Sequence, residues 1–274
     1  MPIDISVVIP TFRRPKPLAE ALASVLAQSG VSIEVFVVDD SPEGSAREVV
    51  EKIGDKRVNY LKNPKPTGGS PSVVRNLAWP LTQGEFVHFL DDDDIVPDGH
   101  YQAVKEAFSR HPQIGLIFGR IEPFGDAPSD QMQHEHEYWA AAAKRARLCA
   151  KFGSKWAFAA QMLFDFTLLV CSDGIVRRDC VVALGGFDPQ IRLVEDVEFY
   201  TRVIRYSGAY FMDRVALRFR ISFPSLFHNS VELSEKQWAE IREARKRQHA
   251  KYRAQHNLFE FYLLKLFARS LRAL

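Results

Sequence analysis

The sequence predicts an α/β fold: a mostly parallel sheet flanked by helices, with a helical extension at the C-terminal end. Three observations carry this. Short β-branched runs alternate with amphipathic stretches along residues 1–118, the rhythm of parallel strands joined by crossover helices. The strand-like runs are apolar almost end to end, as strands covered on both faces are. Unusual polar residues stand where three of these runs stop: Pro10-Thr11-Phe12-Arg13, Asp39-Asp40 and Asp91-Asp92-Asp93-Asp94. In open parallel sheets, ligands bind beyond the carboxyl ends of the strands, so one edge collects the chemistry.

The elements follow in order. Residues 5–9 (Ile-Ser-Val-Val-Ile) form a buried strand ended by Pro10. Residues 17–28 place Leu18, Leu22, Val25 and Leu26 at helical spacing, with Gly30 as a stop. Residues 33–38 are a second strand, 46–53 a helix, 58–61 a strand, 73–79 a helix and 86–90 a strand that runs into the four aspartates. A helix over 101–110 leads to a strand over 114–118. Residues 122–135, rich in Pro, Gly, Asp and Gln, predict a loop or insertion. His134 and His136 flank Glu135 there, as parts of a polar loop rather than of a second metal site. Residues 138–152, Ala-rich with Lys144, Arg145 and Arg147, predict an exposed helix. Residues 164–176 are apolar, and a polar helix start follows at Glu195-Asp196. Core packing is the expected use of Trp156 and Phe158, with stacking on a sugar as the alternative.

Composition sets the outer limits. With 274 residues, 46% hydrophobic and 26% charged, the chain has the balance of an ordinary globular protein, long enough to bury a core without covalent staples. Collagen, disordered chain and secreted mini-protein are excluded. Residues 158–171 are interrupted by Gln161 and Asp165 and are too short to span a bilayer. Three cysteines make no disulfide framework, and no basic-then-apolar leader opens the chain. A cytoplasmic location is the expectation. Charge is uneven: residues 236–274 hold ten Lys/Arg and three acids, net +7, against net −5 for the rest. That excludes nucleic acid as the main ligand and leaves a basic tail suited to an anionic surface. The charge change puts a boundary near residues 230–236.

Four adjacent aspartates after a buried strand repel one another, and a cation relieves the repulsion. Mg²⁺ or Mn²⁺ held by one or two carboxylates and substrate phosphates is one remedy. A solvated acidic turn, or capping of the next helix with Asp98, is the other.

Taken together, Ser6-Val7-Val8-Ile9-Pro10-Thr11-Phe12, Val37-Val38-Asp39-Asp40-Ser41, Arg75-Asn76, the run Gly84-Glu85-Phe86-Val87-His88-Phe89-Leu90 before the aspartates, Gly185-Gly186-Phe187-Asp188, and Glu195-Asp196 resemble the ordered signature of family 2 glycosyltransferases of GT-A fold. The resemblance covers residues 3–230. It implies a catalytic domain over 1–230, its nucleotide-binding half about 1–97 and its acceptor-binding half about 98–230, with 231–274 as a basic amphipathic tail.

The resemblance also implies roles. Pro10, Thr11 and Phe12 would line the base and ribose of a nucleotide-sugar donor, and Asp40 would accept from a ring N–H of the base, usually uracil. Arg75 would lie near the nucleotide. Asp91 and Asp92 would face ribose and metal in a DxD region, and Asp93 would ligate Mn²⁺ or Mg²⁺, with the register in 91–94 open by one residue. Asp196 would be the base of an inverting reaction, and Gly185, Gly186 and Glu195 would flank a glycan or lipid-linked acceptor. His228 falls where some members place a histidine near the diphosphate or metal.

The residues themselves leave alternatives. Glu195 and Asp196 also suit a helix N-terminus through its macrodipole. The glycines also suit an ordinary turn, and a lone histidine also suits a structural place. A nucleotidyltransferase acting on a sugar phosphate wants a glycine-rich loop after the first strand, and Phe12-Arg13-Arg14-Pro15 has no glycine. A non-catalytic nucleotide-sugar-binding subunit has no use for so much uncompensated charge. In the tail, Lys265, Arg269 and Arg272 share one face of a helix over 258–274, with Leu263, Leu264, Phe267, Leu271 and Leu274 covering much of the rest. That pattern suits docking on an anionic membrane surface; packing on the domain, or on a second copy in a homodimer, is the alternative.

Overall fold

The computed structural model describes residues 2–153, 155–165, 167–221 and 235–272. Seven strands form one sheet: β1 (Ile5–Thr11), β2 (Ile33–Asp39), β3 (Val58–Lys62), β4 (Phe86–Phe89), β5 (Leu116–Gly125), β6 (Ile175–Arg177) and β7 (Ala209–Ile221), in the order β3-β2-β1-β4-β6-β5-β7. β3, β2, β1 and β4 run parallel, as do β5 and β7, while β6 runs antiparallel to both its neighbours, β4 and β5. The α/β class with a mostly parallel sheet is as the sequence predicts.

The helices are α1 (Pro15–Leu26), α2 (Arg47–Ile53), α3 (Pro71–Ala78), α4 (His100–Arg110), α5 (Ser129–Ala150), α6 (Ala157–Phe164), α7 (Arg178–Leu184), α8 (Glu195–Ser207), α9 (Glu235–Gln255) and α10 (Leu258–Arg272). α1 and α3 open on proline, whose missing N–H costs nothing in a first turn. Alternation in the strands sends side chains to two cores. Ile5, Val7 and Ile9 meet Leu18, Leu22 and Val25 of α1 and Tyr101, Val104 and Phe108 of α4. Val8, Val38 and Phe89 meet Val74 of α3, Phe158 of α6 and Phe199 of α8. Each such aliphatic residue contributes roughly 1.5–3 kcal/mol by leaving water, so the sheet between them is the rigid platform of the molecule.

Two expectations need correction. Residues 122–135 are not a loop: β5 runs on to Gly125 and α5 begins at Ser129, so His134, Glu135 and His136 lie on a helix. Pairing with β7 over nine registered positions holds the Pro- and Gly-containing end of β5 in the sheet. α5 is not an exposed helix. Its alanines are small enough to let it approach the core, and Trp139, Ala142, Ala143, Ala146 and Cys149 are buried. β7 carries no expectation at all from the sequence, although Leu217, Phe219 and Ile221 alternate with Arg218 and Arg220. Residues 164–176 are the end of a buried helix followed by the short β6.

The tail is packed rather than loose. Asp188 Oδ2 accepts from Arg247 and Lys251 of α9, and Arg205 bonds Glu260 of α10 at 2.7 Å. Phe261, Leu264, Ala268 and Leu271 of α10 are buried, the first three against Ala160 and Leu163 of α6. Packing on the domain therefore accounts for that face; Leu263, by contrast, is exposed. No helix among the described residues is long and apolar enough to cross a membrane.

Candidate active site

Parallel pairing fixes where the strand ends lie. Thr11 stands opposite Asp39 in register, and β4 runs beside β1 into residues 91–94. The acidic run is not left solvated. Thr11 Oγ1 donates to Asp92 Oδ2 at 2.5 Å, and Arg14 Nη1 donates to Asp93 Oδ2 at 2.5 Å and to Asp92 Oδ1 at 3.4 Å. Burial and the neighbouring Asp93 charge push the Asp92 carboxyl up to about 7, against the pull of Arg14 and Thr11. Burial raises Asp93 as well, Arg14 opposing. Asp94 is fully buried, and its Oδ1 accepts from the Arg220 backbone N–H of β7 at 2.9 Å. Its role is to seat β7.

Arg75 is the junction of the site. It projects from α3, is 1% exposed, and lies over the Phe187 ring at 5.2 Å. Nη2 donates to Asp91 Oδ1 at 2.5 Å, and Nη1 donates to Glu195 Oε1 at 2.6 Å. One guanidinium thus joins the end of β4 to the start of α8, residues 104 apart in sequence. Burial lifts the Glu195 carboxyl to about 7, opposed by Arg75 and assisted by Asp196.

Asp196 sits half-buried at the first turn of α8, its Oδ1 accepting from the Val197 N–H at 2.7 Å. Burial raises its pKa, the Asp91 charge adds to that, and Arg75 and Arg245 oppose it. A carboxylate raised in this way is a stronger proton acceptor than an exposed one. Val194 precedes the pair with φ +57°, a conformation costly for a β-branched residue. Such strain gathers at functional turns. It is the one departure from regular backbone at the α8 entrance.

Other candidates fall in different surroundings. Asp40 lies at the same sheet edge, but its carboxylate already accepts four bonds: from Asn63 Nδ2 and Thr67 N on Oδ1, and from Thr67 Oγ1 and Gly69 N on Oδ2. Pro10 stands opposite Val38 in the register, and Phe12 lies under the Arg13 guanidinium at 5.2 Å. Gly186 packs on α3: a Cβ there would stand 2.6 Å from Asn76 Oδ1 and 2.4 Å from Trp79 Nε1, and its φ is +71°. Gly185 caps α7 with φ +73° and open space around it. His228 lies outside the described residues. Phe158 is core, packed on Phe118, whereas Trp156, against the expectation of core packing, is 44% exposed and carries the Arg205 guanidinium at 4.2 Å.

Two residues absent from the sequence-based set belong to this site. Arg14 neutralises the acidic run; the signal was a cation just after a strand whose end faces acids. Arg245 of α9 acts electrostatically on Asp196, and nothing in a basic tail marks one arginine from its neighbours.

As for a cation, no three His, Cys, Asp or Glu side chains gather into a metal cage among the described residues. The hard carboxylate oxygens of Asp91 and Asp93 suit Mg²⁺ or Mn²⁺ completed by phosphate. Two guanidinium groups already sit against them, which marks the position as one that demands positive charge.

Residues 6–170 match the family model described as Glycosyl transferase family 2. The chain belongs to that family. A curated relative, the GalNAc(5)-diNAcBac-PP-undecaprenol beta-1,3-glucosyltransferase of Campylobacter jejuni, is 29% identical over 156 residues, 56% of this chain and 50% of the relative. The chain therefore spans about half of that relative's length. Among solved structures, S. aureus TarS 1-349 in complex with UDP-GlcNAc superposes with TM-score 0.60 at 18% identity, covering 90% of this chain and 66% of that one. Mannosyltransferase PcManGT from Pyrobaculum calidifontis, with GDP-Man and Mn2+, gives TM-score 0.57 at 15% identity, covering 100% and 87%. These likenesses show the fold, of GT-A type, of this family 2 glycosyltransferase chain.

Proposed function

We propose that this chain is an inverting, metal-assisted glycosyltransferase that moves a sugar from a UDP-linked donor to a glycan or lipid-linked saccharide in bacterial surface polysaccharide assembly, working at the cytoplasmic face of a membrane. The observation that carries the reading is the Arg75 junction. It puts the acidic strand end, where a diphosphate needs countercharge, in one electrostatic unit with Glu195 and Asp196. A transferase needs both halves, a charge-compensating side and a proton-accepting side.

In the reaction we assign, Asp196 accepts the proton of the acceptor hydroxyl as the new oxygen–C1 bond forms and the C1–phosphate oxygen bond breaks, its electron pair leaving on the diphosphate. One displacement inverts the anomeric centre. Arg75 pairs with Glu195 and so orients the α8 start, while Thr11 and Arg14 fix Asp92 and Asp93. Asp93, with Asp91, would hold the divalent cation; when bound it supplies Lewis-acid compensation of the departing charge. The Campylobacter relative's lipid-diphosphate substrate and the UDP-GlcNAc in the TarS complex support the substrate classes.

The test is a panel of nucleotide sugars incubated with Mn²⁺ or Mg²⁺, reading nucleoside diphosphate release. We expect one UDP-sugar to turn over slowly, turnover to stop with chelator, and Asp93→Ala to abolish it. Release of pyrophosphate from a nucleoside triphosphate and a sugar phosphate would instead establish the nucleotidyltransferase alternative. Binding of the nucleotide sugar with no turnover under any condition would leave only the binding-subunit reading.

A further inference from the structure

Away from the strand ends, α6, α9 and α10 enclose a cleft of about 600 Å³. Four cations line it, Arg245, Lys246 and Arg253 from α9 and Lys265 from α10, against a single acid, Asp165. That acid is already engaged by Arg272 Nε at 2.6 Å. Lys246 pairs with Glu243 at 3.4 Å on the exposed rim, whereas Arg253 and Lys265 meet no carboxylate among the described residues, so the cleft keeps an excess of positive charge.

Beside it lies an apolar surface. Leu258, Phe259, Tyr262, Leu263 and Leu266 are 58%, 73%, 53%, 43% and 57% exposed. At about 100° per residue they occupy an arc of roughly 140° on α10, opposite the face that Phe261, Leu264, Ala268 and Leu271 bury. Lys265 and Arg269 fall at one edge of that arc, and Tyr262 and Lys265 line the cleft as well. Cationic cleft and apolar face are thus one continuous surface.

We propose that this surface docks on an anionic bilayer, the cleft taking the phosphate of a lipid headgroup while the outer face of α10 lies among the acyl-chain ends of the headgroups. Charge complementarity selects this occupant: a helix with an apolar face and a cationic edge binds anionic interfaces. A twofold contact through the same face would instead gather the cations of two copies at one interface. The proposal deepens, and rests on, the reading of a lipid-linked acceptor. Arg245 belongs to the cleft and acts on Asp196, so a docked headgroup region adjoins the proposed base.

The experiment is flotation of the full chain with phosphatidylcholine–phosphatidylglycerol vesicles and with pure phosphatidylcholine vesicles. We expect binding to the first, little to the second, and release by salt. Arg253→Gln with Lys265→Gln lowers partitioning about 25-fold, near fivefold per cation. Phe259→Ser with Leu266→Ser, both at exposed positions, removes binding. Equal binding to both vesicle types, or none to the anionic ones, overturns the proposal. So does a concentration-dependent dimer lost in Phe259→Ser with Leu266→Ser while flotation persists. Inorganic phosphate that protects Lys246 and Lys265 from acylation when no vesicle binds overturns the lipid assignment. UDP-sugar hydrolysis on the same preparation separates the two readings: hydrolysis without flotation defeats the docking surface alone, and flotation without hydrolysis defeats the glycosyltransferase reading alone.

Discussion

Replacing Arg75 by methionine keeps an unbranched apolar stem and removes the guanidinium and its charge. The structure sets the scale of the loss. Two charge-assisted bonds, to Asp91 and Glu195, disappear from a group that is 1% exposed. Removing one partner of a buried pair costs about 3–5 kcal/mol because the other charge is left behind. The pH dependence identifies the mechanism. Glu195 titrates near 7 in the folded protein against 4.5 for an ordinary glutamate. Its folded pKa is raised, so the folded state binds more protons than the unfolded state and stability falls as pH rises from about 4.5 through 7. Loss of Arg75 raises that pKa further, so between pH 7 and 8 the variant keeps a proton that the parent releases. The destabilisation at pH 8 then exceeds that at pH 6 by about 1.4 kcal/mol, one pKa unit. Urea unfolding of both proteins at pH 6 and pH 8, with equal slopes, measures the difference. A loss under 1 kcal/mol, or one that is the same at both pH values, would refute the junction argument.

Further outcomes follow from the same geometry. Asp196→Asn should lower kcat by roughly 10²–10⁴ with donor KM unchanged, since it removes the proton acceptor alone; steady-state kinetics decide. The acid limb of kcat/KM should lie above the ordinary aspartate value of 3.8, because burial raises Asp196, and activity falls as pH drops through that raised pKa. A limb at or below 3.8 in a pH–rate profile contradicts it. Gly186→Ala places a Cβ against Asn76 and Trp79 at φ +71° and should destabilise by about 1–3 kcal/mol; chemical denaturation gives the value. Asp40→Ala removes the acceptor of four bonds and should make the amides of Thr67 and Gly69 exchange faster with deuterium.

The parallel half of the fold was legible because its strands are short and largely apolar, and β1, β2 and β4 are closed by a marked residue, Pro10 or an aspartate. β7 was not. Its pattern is diluted by Arg214, Arg218 and Arg220: Arg214 donates to the Asp98 backbone carbonyl, and Arg218 and Arg220 pair with Glu122 and Glu20. α5 misled through composition: alanine reads as solvent-facing filler in sequence, yet in packing it is what allows a helix close approach. In the site, the strand ends made the aspartates at 39–40 and 91–94 readable as one polar edge, whereas Glu195 and Asp196 were named only through the family resemblance. The pairing of Arg75 with both ends was not readable, since nothing local to residue 75 tells which carboxylates it meets 16 and 120 residues away. The saturation of Asp40 was equally invisible, because four donors from three residues of the 63–69 segment act through geometry rather than through a motif.

That saturation has a consequence for ligand capture. A carboxylate has room for about four acceptor contacts, and at Asp40 segment 63–69 fills them all. An incoming base that addresses Asp40 through a ring N–H therefore competes with the protein's own chain, and observed affinity is the intrinsic affinity scaled by the fraction of molecules whose segment has swung aside. If a base addressed Asp40 in this way, substitutions that loosen Thr67 or Gly69 would strengthen nucleotide capture rather than weaken it.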